Sequence, residues 1–187
     1  MDHDKHPITG VIMAGGKSSR MGSDKGLLLF KGKMLVQYGI DLLTPFCSEL
    51  LISTNNSDYL QFGLPLIADE IPYCGPMGGI YSSLKASKTE YILVVACDMP
   101  FVSATTINLL LENIRGFDCV VPMVKDKLEP LCGVYSKSLI KVIEDQIQMK
   151  ELALSNMILN SNYRIIYITN EVNDFMNLNT PEDFTNK

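Results

Sequence analysis

One segment of this chain gathers the groups that hold phosphate. Residues 14–25 read Ala14-Gly15-Gly16-Lys17-Ser18-Ser19-Arg20-Met21-Gly22-Ser23-Asp24-Lys25. Glycines let backbone N–H groups approach a ligand closely, and successive N–H groups form an anion-binding nest. Lys17, Arg20 and Lys25 carry charge to offset a triphosphate. Two familiar phosphate loops do not fit. Gly16-Lys17-Ser18 would need a glycine at position 11 to make a P-loop. Val11 stands there, and Gly10 misses by one. Gly15 and Gly16 are adjacent, so the GxGxxG dinucleotide fingerprint is absent as well. A flexible strand-to-helix connection with solvated charges is the plain alternative.

A second group is acidic. Asp98 follows the apolar run 91–96 after Cys97, with Pro100 close behind. A carboxylate at the end of a buried strand suits Mg²⁺, which takes one or two protein carboxylates and completes its shell with phosphate and water. Capping the next helix is the other reading of Asp98, although Ser103 stands nearer to that helix. Asp69 also follows a short apolar run, and Asn55 and Asn56 follow another. Each suits either base or sugar recognition or a turn. Asn177 and Asn179 alternate as same-face residues of an extended segment. They support a metal or phosphate, or else form turns.

The elements that must position these groups alternate. Apolar runs at 8–13, 50–53, 64–68, 91–96, 119–122, 131–135 and 164–168 read as strands. Helical spacing appears at 34–46, at 77–86 behind Gly75-Pro76, at 103–114 with Ser103 as N-cap, and at 138–157 in one or two pieces. Pro181 behind Thr180 opens a short terminal helix. This alternation predicts an α/β domain with a mostly parallel sheet. Ligands of such sheets lie beyond the carboxyl ends of the strands, so the loops after Met13, Ser53, Ala68 and Ala96 are expected to face one cleft.

Composition narrows the function further. The 187 residues are enough for one domain, expected over 1–187 with 1–6 as a disordered tail. The formal net charge is −5, which argues against a non-specific nucleic-acid binder. No stretch approaches the roughly 18 apolar residues of a membrane span, and the start is polar, so the cytoplasm is the expected location. The five cysteines are Cys47, Cys74, Cys97, Cys119 and Cys132, with no CxxC pair. They read as buried free thiols. His3 and His6 are the only histidines. Both fall in the polar start, which removes histidine acid–base chemistry from consideration.

The full set of segments resembles the molybdenum cofactor guanylyltransferases, the MobA family. The resemblance rests on Met13-Ala14-Gly15-Gly16, Ser18, Arg20-Met21-Gly22 and Asp24-Lys25, then Gly75-Pro76 and Gly78-Gly79. It continues through Asp98-Met99-Pro100-Phe101, Glu129-Pro130-Leu131 and Asn177-Leu178-Asn179-Thr180-Pro181-Glu182. Met13 stands where the family usually has leucine, and 149–150 lacks a basic pair expected near the pterin. The resemblance implies a single-domain, three-layer α/β/α, Rossmann-like nucleotidyltransferase fold. It also implies transfer of GMP from GTP to molybdenum-molybdopterin with Mg²⁺, and transient contact with molybdenum-cofactor insertion proteins. GTP contacts then fall on Met13, Ala14, Gly15, Lys25, Asn55 and Asp69, with Gly16, Lys17 and Arg20 from the loop. Asp98 becomes the metal ligand, Lys25 and Asp98 the catalytic pair, and Asn177 and Asn179 support for the metal or the acceptor. A cytidylyltransferase for the same pterin, a sugar-phosphate nucleotidyltransferase and a non-catalytic cofactor-delivery protein are the competing readings.

Overall fold

Side-chain alternation in the first strand sets the layers of the molecule. In β1 (His6–Met13), Ile8 and Ile12 enter one apolar cluster and Val11 and Met13 another. Successive strand residues point to opposite faces, so β1 is covered on both sides. The computed structural model describes residues 6–15, 24–169, 172–178 and 183.

After β1 comes a small separate ribbon, β2 (Leu29–Phe30) with β3 (Lys33–Met34), paired antiparallel. The main sheet continues with β4 (Cys47–Ser53), β5 (Leu66–Ile67), β6 (Tyr91–Ala96), β7 (Cys119–Val124), β8 (Lys127–Leu128), β9 (Cys132–Ser136) and β10 (Tyr163–Ile168). Its order is β10-β7-β9-β6-β1-β4-β5, with β8 paired to β7. The pairs β1/β4, β1/β6, β4/β5 and β7/β10 are parallel. β9 runs against both β6 and β7, so the sheet is mixed but mostly parallel.

Helices cover both faces. α1 (Leu35–Leu43) and α3 (Ala104–Glu112) place Val36, Leu43, Ile107 and Leu110 with Ile8 and Ile12. α2 (Gly75–Ala86), α4 (Leu139–Met149) and α5 (Leu154–Leu159) place Met77, Ile80, Leu84, Ile143 and Met157 with Val11 and Met13. The result is the three-layer α/β/α arrangement expected. No helix among the described residues is long and apolar enough to cross a membrane.

Several boundaries moved for local reasons. α1 stops at Leu43, short of the expected 46, and Thr44 folds its hydroxyl back onto the Ile40 carbonyl at 2.7 Å. α2 starts two residues early at Gly75, because Pro76 sits in the first turn, where its missing N–H costs nothing. The span 138–157 divides at Lys150, whose backbone is left-handed with φ 60°. β5 keeps only Leu66–Ile67 of the expected 64–68. His6, expected in the tail, opens β1 opposite Cys47. Ser103 caps α3 as expected, accepting from the Thr106 N–H at 3.3 Å. All five cysteines are buried and unbridged. Of the helix expected behind Pro181, only Asp183 is among the described residues, and it is helical.

Candidate active site

The parallel strands end together. Met13 sits opposite both Ser53 and Ala96, and Ser53 opposite Ile67. The loops that leave them are tied to one another from their first residue. Ala14 N–H donates to the Ser53 carbonyl at 2.9 Å, Thr54 N–H to that of Ile67 at 2.9 Å, and Cys97 N–H to that of Met13 at 3.0 Å. The four loops therefore share one edge, as the alternation of elements predicts. α2 packs tightly there. A Cβ on Gly79 would lie 2.5 Å from Met13 Cε and 2.7 Å from Ser53 Oγ.

Lys25 opens a single 3₁₀ turn, Lys25–Leu27, with Asp24 as its cap. Its Nζ donates to Asp98 Oδ2 at 2.7 Å, and the two side chains are only 16% and 22% exposed. The end of the glycine-rich loop and the end of β6 are thus joined by opposite charges at the sheet edge. Next to Asp98, burial and then the Asp98 charge push the Cys97 thiol up to about 12. It is neutral near pH 7 and offers no thiolate nucleophile.

Asn55 and Asp69 meet through two hydrogen bonds. Asn55 Nδ2 donates to Asp69 Oδ2 at 3.1 Å, and Asp69 N–H donates to Asn55 Oδ1 at 3.0 Å. Asn55 is exposed and Asp69 half-buried, so both can trade these bonds for bonds to a ligand.

On the other side of Asp98 lies a cleft of about 340 Å³. Asp98, Lys127, Glu129, Leu131, Leu154 and Asn177 are among its walls. Glu129 is buried and paired with Lys127 at 2.9 Å. Leu178 N–H donates to the Asp98 carbonyl at 3.0 Å, and Leu178 is itself anchored against Phe30 and Leu35. This brings the 177–178 segment beside Asp98. The Asn177 Oδ1 is buried, with no hydrogen-bond partner among the described residues. A buried acceptor in that condition costs stability unless a ligand satisfies it.

Among the described residues no three His, Cys, Asp or Glu side chains cluster as a protein-only metal cage. A magnesium ion carried on a phosphate substrate needs less, one or two protein oxygens. Asp98 and Asn177 border the same cleft, the Asn177 Oδ1 being itself buried and unsatisfied, and oxygen donors of these two kinds suit such an ion. Gly16, Lys17, Arg20 and Asn179 lie outside the described residues. Reading by residue type passed over one participant, Tyr59, and gave Asn56 and Glu129 no partner. Asn56 and Tyr59 bind the Asp24 carboxylate, and Glu129 enters the cleft wall. The only trace of Tyr59 is its place in the polar run Asn55-Asn56-Ser57-Asp58-Tyr59 just after a strand.

A family model described as "MobA-like NTP transferase domain" matches residues 10–161. The chain belongs to this family. Its relatives include the "Probable molybdenum cofactor guanylyltransferase" of Carboxydothermus hydrogenoformans, 33% identical over 183 residues, covering 95% of this chain and 93% of that one. The "Molybdenum cofactor guanylyltransferase" of Yersinia pseudotuberculosis is likewise 33% identical, over 94% of this chain and 92% of its own. Among solved structures, molybdopterin-guanine dinucleotide biosynthesis protein A from Archaeoglobus fulgidus superposes with a TM-score of 0.81 over 96% of both chains. At 22% identity that likeness speaks for the fold. Membership of the MobA-like family makes the chain a nucleotidyltransferase, and the shared sheet edge is where members of such folds bind ligands.

Proposed function

We propose that this MobA-like protein transfers GMP from GTP to the terminal phosphate of molybdenum-molybdopterin, giving the guanine dinucleotide form of the cofactor and pyrophosphate. The observation that carries the reading is the Lys25–Asp98 pair, which stands between the nucleotide-side loops and the cleft. A phosphoryl acceptor in the cleft and a triphosphate on the loop of 14–25 would meet at this pair.

In the reaction, an oxygen of the acceptor phosphate forms a bond to the α-phosphorus of GTP as the bond to the β-phosphate oxygen breaks. Pyrophosphate carries the electron pair away, and no covalent enzyme intermediate is needed. The protein's part is positioning and electrostatics. Met13, Ala14 and Gly15, with Gly16, Lys17 and Arg20, bind the triphosphate. Asn55 and Asp69 read the base. Lys25, already held in place by Asp98, faces charge that grows on the α- and β-phosphate oxygens. Asp98 with Asn177, supported by Asn179, would hold Mg²⁺, which when bound neutralises phosphate charge. The apolar part of the cleft, Leu131 and Leu154, seats the acceptor's ring system.

The test is pyrophosphate release by the purified protein with molybdenum-molybdopterin, Mg²⁺ and each of the four common ribonucleoside triphosphates. GTP should give the fastest release, dependent on the acceptor. Faster release with CTP would reassign the protein as a cytidylyltransferase, and none with any nucleotide would refute the reading.

A further inference from the structure

Asp24, the last residue before Lys25, has its carboxylate held from three directions. The Tyr59 hydroxyl and the Gly26 N–H, the latter at 3.2 Å, donate to Oδ1, and Asn56 Nδ2 donates to Oδ2 at 3.0 Å. Tyr59 is wholly buried and belongs to the 3₁₀ helix Ser57–Phe62 that follows β4. Its phenol fills the space beside Gly26, where any added Cβ would collide with the phenol oxygen. Asn56 caps that same 3₁₀ helix, accepting from the Asp58 N–H at 2.9 Å, and its own N–H donates to Thr54 Oγ1 at 3.2 Å. The residue before it, Asn55, makes the two bonds to Asp69. The segment that carries the candidate base-reading amide and the segment that carries the candidate catalytic cation are therefore clamped on one carboxylate. A hydrogen bond to a charged group is among the stronger ones a protein makes.

We propose that Tyr59 is a positioning residue for nucleotidyl transfer, its hydroxyl acting through Asp24 to hold Lys25 at Asp98 in register with the base-side loop. This rests on the transferase reading above. Burial first, and then the hydrogen bond to Asp24, raise the phenol far above its ordinary value, so it remains a donor throughout any assay range. The hydroxyl donates to Asp24, the residue directly before Lys25, and this is the route by which it acts on turnover.

Tyr59→Phe tests this, because it keeps the ring beside Gly26 and removes only the donor. The expected result is a fall in kcat of roughly tenfold, the loss of one hydrogen bond to a charged group, with the KM for the nucleotide within about twofold of the parent. The double variant Asp24→Asn/Tyr59→Phe should be no slower than Asp24→Asn alone, as expected of residues acting as one unit. A parental kcat in Tyr59→Phe, or multiplying losses in the double variant, would overturn the proposal. Amide hydrogen exchange at Gly26 reads the same clamp without turnover. It should rise about tenfold in Tyr59→Phe, and unchanged exchange would also overturn the proposal. If the parent protein releases no pyrophosphate with any nucleotide, the transferase reading falls, and the exchange measurement still decides whether Tyr59 holds this segment.

Discussion

Lys25 and Asp98, 73 residues apart in sequence, are joined by a single hydrogen-bonded ion pair of 2.7 Å at the carboxyl edge of the sheet. One comes from the loop after β1 and the other from the turn after β6, neighbouring parallel strands. The contact fixes a cation where the proposed reaction builds negative charge. Such preorganised charge is worth on the order of 3 kcal/mol of barrier, about a hundredfold in rate. Lys25→Met and Asp98→Asn should each lower pyrophosphate release by about that factor. Both side chains lie at the edge and are partly exposed, so the denaturant midpoint should move little. Near-parental turnover in either variant would remove that residue from the mechanism.

Base choice should rest on the Asn55–Asp69 pair. Guanine presents two adjacent N–H donors along its pairing edge, which a carboxylate accepts together, whereas cytosine presents one donor beside acceptors. Asp69→Asn keeps the size of the side chain and replaces one acceptor by a donor. The preference for GTP over CTP in kcat/KM should fall by roughly ten- to a hundredfold, the scale of one bidentate base contact. An unchanged ratio would place base selection elsewhere on this edge.

The parts of this molecule that were legible in the sequence are those governed by local pattern. β6 is legible residue for residue over 91–96, since six apolar residues between Glu90 and the turn Cys97-Asp98-Met99-Pro100 admit little else. The helix at 34–46 overran, because Phe46 continues the apolar spacing after the helix has ended and packs on the core from the turn before β4. Lys25, Asp98, Asn55 and Asp69 could each be named, since glycine-rich loops and strand ends mark ligand edges in α/β sheets. The partner of each was not legible in the same way. Asn55 finds Asp69 only because β4 and β5 pair in parallel, and Asp24 finds Tyr59 only because a 3₁₀ helix folds back under the loop. No spacing rule connects residues 24 and 59, and no local pattern shows that the tail at 177–178 returns to Asp98.

Gly79 offers a test of how tightly the edge is built. Alanine would favour the helix by about 1 kcal/mol, but its methyl would meet both Met13 Cε and Ser53 Oγ. Both neighbours are buried, and overpacking of this kind costs about 1–3 kcal/mol. Gly79→Ala should therefore be destabilised on balance by about 1 kcal/mol in urea unfolding. Since Met13 and Ser53 are the last residues of β1 and β4, turnover should drop with it. A variant more stable than the parent would mean that the two side chains have room to move.

The buried thiols predict the alkaline limit of stability. From an ordinary value of 9.0, burial pushes Cys97 up to about 12 and Cys119 up to about 11, the latter against a stabilising bond from Ser161, and it raises Cys132 as well. A raised folded-state value means that the native protein holds protons the unfolded chain gives up. This contribution is fully present below about pH 9 and drains away as pH rises through the folded values. Each such thiol costs roughly 1.4 kcal/mol per pH unit inside that window. Unfolding free energy from urea titrations should therefore be level between pH 7 and 9 and fall steeply from pH 9 to 11. Cys119→Ala should make that fall visibly shallower. The same dependence in the variant as in the parent would show that the Cys119 thiol contributes nothing to it.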